Sequence, residues 1–157
     1  MKKLFSTGLF AIAMLLAAAG LNETAAQTVT GSIGNGTVAR GGSARGVIVM
    51  DIPGGLHVNS NNPASKYAIP TTVRVTTTGA RVSAVRYPAG KNRKFQFSEN
   101  LINVYEGRVT FPFTVTVPKG FSGNTIRVRA LVRYQACTDE VCYPPKTQDI
   151  TLTARVR

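Results

Sequence analysis

Apolar and polar side chains alternate along three long stretches of the chain. The most regular stretch runs from Val109 to Val117, where valines and phenylalanines alternate with threonines and a proline. The same pattern occurs from Ile126 to Tyr134 and again from Ile150 to Val156. A period of two is typical of strands with one buried face, and no segment shows helical periodicity over about ten residues. The pattern therefore predicts an all-β protein built as an antiparallel β-sandwich.

Shorter apolar runs, separated by Gly, Pro and Asn, predict the remaining strands. They are an irregular opening strand within residues 28–45 and the three runs Val47–Ile52, Thr71–Thr77 and Arg81–Tyr87. The segment Lys91–Asn100 that follows is charged and contains two phenylalanines. Because it has no apparent core face, it is predicted to be a loop.

Arginines occupy several of the polar positions in and beside the last two stretches, and the formal net charge of the chain is +12. The arginines that fall on the outward parity are Arg127, Arg129, Arg133, Arg155 and Arg157. They predict a basic, solvated face. Acidic proteins or an anionic envelope surface suit this charge. Nucleic acid is not expected as a partner, because the chain has no Trp and its aromatic residues do not interleave with basic ones.

The N-terminal segment has the features of a secretory signal peptide. Met1-Lys2-Lys3 is a basic start, Leu4–Ala19 is apolar, and Thr24-Ala25-Ala26 offers a cleavage site of small residues. Export with cleavage near Ala26 is therefore predicted, with residues 27–157 as the mature domain. An uncleaved N-terminal anchor is the alternative, although the segment is short for a membrane span. No later stretch is apolar enough to predict stable membrane insertion.

The two cysteines, Cys137 and Cys142, lie between the last two alternating stretches, at the tip of a predicted β-hairpin. In an exported protein such a pair is expected to form one intramolecular disulfide. The loop between them is small, so the bond stabilises the fold weakly, by about 2 kcal/mol. Small, exposed disulfides are typical of redox chemistry. A redox-active pair and a structural hairpin clip are both consistent with the sequence.

The hairpin also presents a register conflict. If Cys137 faces Cys142, regular pairing places the inward Val128 opposite the outward Thr151 and exposes the apolar side chains of one strand. A bulge is therefore predicted at Pro144-Pro145, since proline cannot donate to a ladder.

Other residues near the cysteine pair have opposing effects on the thiols or only weak support as metal ligands. Asp139 and Glu140 disfavour a thiolate, whereas Arg133 and Lys146 favour one. His57 is the only histidine, and one His with two Cys could bind a metal ion. No second His and no finger-like spacing support such a site, so neither a metal nor a cofactor is predicted.

The cysteine hairpin resembles that of a known family. Tyr134–Cys137, a short acidic loop and Cys142–Thr147 are similar to the active-site hairpin of the N-terminal periplasmic domain of the thiol:disulfide interchange protein DsbD. Two upstream segments, Ile52–Ser60 and Val104–Pro112, resemble other parts of that domain. The similarity extends from about Val47 to Leu152.

This resemblance implies an immunoglobulin-like β-sandwich in the periplasm. Its cysteine pair would relay electrons to thioredoxin-like disulfide proteins through transient mixed disulfides. By the same similarity, Cys142 would be the attacking thiol and Cys137 its resolving partner, with Tyr134 and Tyr143 flanking the hairpin.

The resemblance also implies a cap loop at Phe95–Glu99 that covers the disulfide. Phe97 is the predicted covering residue, with Phe95 as the alternative. Glu99 would be the one acidic residue available to tune the thiol from the cap, where the family has a pair.

Two further departures from the family shape the functional prediction. The cysteines are separated by four residues instead of five, and the electron-supplying domains of the family do not occur in this sequence, so a separate electron donor is expected. The chain is predicted to be an oxidoreductase-like interchange domain. The alternative is a non-catalytic exported binding or structural module whose disulfide clips the hairpin.

Overall fold

The computed structural model describes residues 26–157, so the predicted signal peptide lies outside the described residues except for Ala26. Within the described range, no helix has the length and apolar character needed to cross a membrane. The described strands are β1 (Thr28–Ile33), β2 (Thr37–Val38), β3 (Ser43–Asp51), β4 (His57–Asn59), β5 (Thr72–Thr77), β6 (Arg81–Val82), β7 (Lys91–Arg93), β8 (Ile102–Tyr105), β9 (Arg108–Thr116), β10 (Thr125–Tyr134), β11 (Ala136–Cys137) and β12 (Lys146–Val156).

The strands form three sheets, and the fold is an all-β, immunoglobulin-like sandwich, as predicted. The first sheet has the order β1-β3-β9-β6, and the second has the order β2-β12-β10-β5. Buried side chains from these two sheets join in one hydrophobic core. The third sheet, β11-β4-β8-β7, carries the cysteine pair at its β11 edge.

Period-two alternation decides which side chains enter the core. Along β9, every second residue from Val109 to Val115 is buried, and the same holds along β10 from Ile126 to Tyr134. The ring of Phe111 is fully buried and makes edge contacts with the rings of Tyr87 and Tyr105, each with its centroid 5.8 Å away. The strands predicted in these stretches are confirmed.

Two predictions of local structure are wrong. Only Arg81–Val82 of the predicted strand Arg81–Tyr87 is a strand, although Arg86 N–H still donates to the carbonyl of Pro112 at 2.9 Å. The segment Lys91–Asn100 is not entirely loop, because it begins with β7, which pairs with β8. Both differences arise because ladder pairing depends on the neighbouring strand as well as on the local pattern.

The outward arginines of the last two long strands are all exposed. Arg129 forms an ion pair with Asp149, with 2.6 Å between Nη2 and Oδ2. The predicted basic solvent face is therefore confirmed.

Candidate functional site

The hairpin that carries the cysteines changes register before it reaches them. In the β10–β12 ladder, Val128 pairs with Leu152 and Tyr134 pairs with Lys146. The isolated bridge beyond this ladder joins Cys137 to Cys142. Two residues therefore lie between these pairs on the first strand and three on the return strand, and the three include Pro144 and Pro145. The predicted bulge at Pro144-Pro145 is confirmed.

Gln135 fixes the base of the cysteine hairpin. Its side-chain Oε1 accepts hydrogen bonds from Asn59 Nδ2 at 3.2 Å and from the backbone N–H of Ile69 at 3.4 Å. Its Nε2 donates to the carbonyl of Tyr143 at 3.2 Å. One amide thus joins β4, the loop of residues 60–71 and the return strand. Gln135 was not singled out from the sequence, because its partners are distant along the chain.

Thr138 organises the turn between the cysteines. Its N–H donates to the carbonyl of Val141 at 2.8 Å, and its Oγ1 accepts hydrogen bonds from the N–H groups of Glu140 and Val141 at 3.2 and 3.1 Å. These bonds close the turn locally, as Ser and Thr side chains commonly do. The side chains of Asp139 and Glu140 are left exposed.

Cys137 and Cys142 form the predicted disulfide, with their Cα atoms 4.0 Å apart. The two residues differ in exposure: Cys137 is 0% exposed, whereas Cys142 is exposed. Cys137 is enclosed because β11 pairs with β4 inside the third sheet, while Cys142 follows the turn on the outer side. Cys142 is therefore the more accessible residue of the pair.

The two predicted cap residues occupy different layers. The ring of Phe95 is 3% exposed and packs with Ile102 and Val104 in a small second core, so the prediction that this segment lacks a core face is wrong. The ring of Phe97 stacks on that of Phe95 with 5.2 Å between centroids, and it is 48% exposed. Phe97 also lines a cavity of about 250 Å³ together with Cys142. Phe95 is thus the inner residue of the pair and Phe97 the outer one.

Four large apolar side chains that remain exposed lie around Cys142. Among the described residues, the large hydrophobic side chains that remain exposed are Tyr67, Phe97, Leu101, Val141 and Tyr143. Val141 and Tyr143 are the neighbours of Cys142 in the chain, and Tyr67 and Phe97 line its cavity. We name these four residues the apolar rim.

His57 lies beside the buried cysteine, a position that the sequence does not predict. In the β4–β11 ladder, His57 is directly opposite Cys137. Its ring stacks on that of Phe95, with 4.4 Å between centroids. Burial lowers the pKa of His57 from its ordinary value; the charge of Asp139 raises it, that of Arg93 lowers it and that of Glu106 raises it. The sequence signal that could have found His57 is its place in the segment Ile52–Ser60.

The remaining predicted site residues do not line the cavity of Cys142. Tyr134 is buried in the main core, where its hydroxyl accepts a hydrogen bond from Gln148 Nε2 at 2.8 Å. The backbone carbonyl of Glu99 accepts a hydrogen bond from Lys94 Nζ, which closes the cap loop. Asp139 lies 3.7 Å from Arg93 Nη2, on the side of the buried cysteine. Asp139 therefore lines the same cavity as His57 and Arg93, and it does not line the cavity of Cys142.

The family model described as "Thiol:disulfide interchange protein DsbD, N-terminal" matches residues 33–154 of this chain. A curated relative, the thiol:disulfide interchange protein DsbD of Actinobacillus pleuropneumoniae serotype 5b (strain L20), is 29% identical over 80 residues. That alignment covers 51% of this chain and 12% of the relative, so the chain spans a small part of the relative's length.

Two solved structures are similar to this fold. The N-terminal periplasmic domain of ScsB from Proteus mirabilis has a TM-score of 0.51 at 12% identity, covering 82% of this chain and 44% of that one. The DsbD n-terminal domain of Neisseria meningitidis in the reduced form has a TM-score of 0.45 at 16% identity, covering 70% of this chain and 80% of that one. The likeness to the ScsB domain supports the β-sandwich fold.

Proposed function

Because this chain belongs to the family of N-terminal domains of the thiol:disulfide interchange protein DsbD, we propose that it exchanges disulfides in the periplasm through Cys137 and Cys142. Its targets are thioredoxin-like proteins, which it reduces through a transient mixed disulfide at Cys142. The observation that carries this proposal is the unequal burial of the two cysteines. We place residues 27–157 in the exported domain, released by cleavage near Ala26.

The proposed exchange starts from the reduced pair. The Cys142 thiolate attacks one sulfur of the partner's disulfide, and the partner's other sulfur leaves as a thiolate and takes up a proton. The Cys137 thiol then loses its proton as its sulfur attacks that of Cys142, which forms the Cys137–Cys142 bond and expels the partner's sulfur as a thiolate. That thiolate takes up a proton, so the partner leaves as a dithiol. Two electrons pass to the partner. A separate donor must then reduce the pair again, because Cys137 and Cys142 are the only cysteines among residues 26–157.

The apolar rim supports docking of a protein partner on the face that presents Cys142. Its four side chains come from the loop before β5, the cap loop and the hairpin itself. Burying such side chains against a partner removes apolar surface from water, which favours association. An encounter that buries the rim also brings the partner's disulfide to the accessible sulfur.

The reduction potential of the pair tests the proposed function against a structural clip. We expect a value above about −300 mV, because structural disulfides have potentials below this limit. Reduced protein mixed with an oxidised thioredoxin-like periplasmic protein should also transfer its electrons to that protein. The transfer is measured by alkylating the free thiols and determining the masses of both proteins. A potential below about −300 mV without transfer would identify a hairpin clip and contradict the proposal.

We also propose that Phe97 covers Cys142. A Phe97→Ala substitution should increase the rate at which the reduced protein reacts with iodoacetamide several-fold, because the outer ring that lines the cavity of Cys142 is removed. Phe121→Ala is the matched control, since Phe121 is a half-buried phenylalanine in the turn after β9 and lies away from the hairpin. An unchanged rate in Phe97→Ala would exclude Phe97 from control of access.

A further inference from the structure

His57 and Cys137 face each other across the β4–β11 ladder. Directly opposite residues of an antiparallel pair project from the same face, with Cβ atoms about 4.5–5.5 Å apart. The two side chains are therefore neighbours on one face of the third sheet. Both residues are buried, with His57 at 3% exposure and Cys137 at 0%. The histidine therefore lies next to the cysteine that solvent does not reach.

The surroundings of His57 hold its ring in place and keep it neutral. The ring stacks on Phe95, which is anchored in the small second core. Burial lowers the pKa of His57, which favours the neutral imidazole, the form that can accept a proton.

The charged groups around His57 come from three elements. Arg93 on β7 and Glu106 after β8 form an ion pair, which Lys91 extends at 3.4 Å from Glu106, and Asp139 reaches in from the hairpin turn. His57, Arg93, Glu106 and Asp139 line one cavity of about 390 Å³. The charges of Asp139 and Glu106 favour a protonated imidazole and so stabilise the positive charge that proton transfer would create.

We infer that His57 is the general base for Cys137 in the second step of the exchange, an inference that rests on the proposed function. A buried thiol forms its thiolate reluctantly, and the thiolate is the attacking species. The His57 imidazole takes the proton of the Cys137 thiol as the sulfur attacks Cys142 in the mixed disulfide. The Cys137–Cys142 bond forms, the bond between Cys142 and the partner breaks, and the partner's thiolate leaves with the electron pair. The leaving thiolate then takes the proton from the imidazolium.

A synthetic disulfide isolates this step from any biological partner. Reduced protein with 5,5′-dithiobis(2-nitrobenzoate) should release one coloured thiolate when Cys142 reacts and a second when Cys137 resolves the mixed disulfide. We expect His57→Phe, which keeps a ring against Phe95, to slow the second release about 100-fold near neutral pH, the lower end of what a positioned base contributes. His57→Gln should do the same while keeping a polar side chain. The first release should be unchanged in both variants.

The pH profile separates a base from a structural role. In the unsubstituted protein, the second release should slow as the pH falls through the pKa of His57, and both variants should lose this inflection. Asp139→Asn should move the inflection to lower pH, because a charge that favours the imidazolium is removed. Equal second-release rates in the unsubstituted protein and both His57 variants would overturn the inference. The same holds if both His57 variants keep the inflection of the unsubstituted protein. Failure to exchange with any thioredoxin-like protein would contradict the proposed function alone, because the nitrobenzoate reaction does not require that partner.

Discussion

A Cys137→Ser variant is expected to remain covalently attached to oxidised thioredoxin-like partners, whereas a Cys142→Ser variant is expected to capture almost none. The exposed Cys142 sulfur can form the mixed disulfide, and without Cys137 nothing within the domain resolves it. In the reverse variant, the remaining cysteine is enclosed between β4 and the hairpin. The adducts are measured by mass spectrometry after acid quenching, without reductant.

The two variants control for each other. Both lose the same disulfide and one sulfur atom, so a general loss of stability would affect them alike. A double variant with both serines should form no adduct and gives the background. Equal capture by the two single variants, or capture by Cys142→Ser alone, would contradict the assignment of Cys142 as the attacking thiol.

The largest loss of stability is expected from Phe111→Ala. The ring of Phe111 is fully buried and contacts Tyr87 and Tyr105, whose hydroxyl groups bond to β5 and to the loop after β4, respectively. Removing such a ring costs about 3–5 kcal/mol, through lost transfer free energy and the cavity left behind. A domain of this size is stable by about 5–15 kcal/mol in total. Urea unfolding with the disulfide intact measures the change.

Phe121→Ala provides the control for this prediction. Phe121 is only half buried, and its ring packs near Gly79 and Gly123 at the edge of the core. Its removal should therefore cost clearly less free energy of unfolding than the removal of Phe111. Equal losses in the two variants would show that Phe111 does not have the central packing role assigned to it.

Local patterns in the sequence determined a large part of the fold. The alternation along β9, β10 and β12 sets which side chains face the core, because successive residues of a strand project to opposite sides. The same parity predicts the bulge at Pro144-Pro145, since only an extra residue lets the cysteines pair while the apolar sides stay aligned. These features depend on residues close together in the chain.

The tertiary structure alone decided which residues surround the disulfide. The alternation of apolar and polar residues predicts which face of a strand a side chain occupies, but not which strand lies beside it. The pairing of His57 with Cys137 therefore cannot be predicted from the sequence. The burial of Cys137 and the exposure of Cys142 likewise follow from the pairing of β11 with β4. Phe95 looks unpartnered in its charged segment until β8 supplies Ile102 and Val104. The sequence by itself therefore determined the strands, the hairpin and its two cysteines, whereas contacts between distant segments decided how the two sulfurs differ.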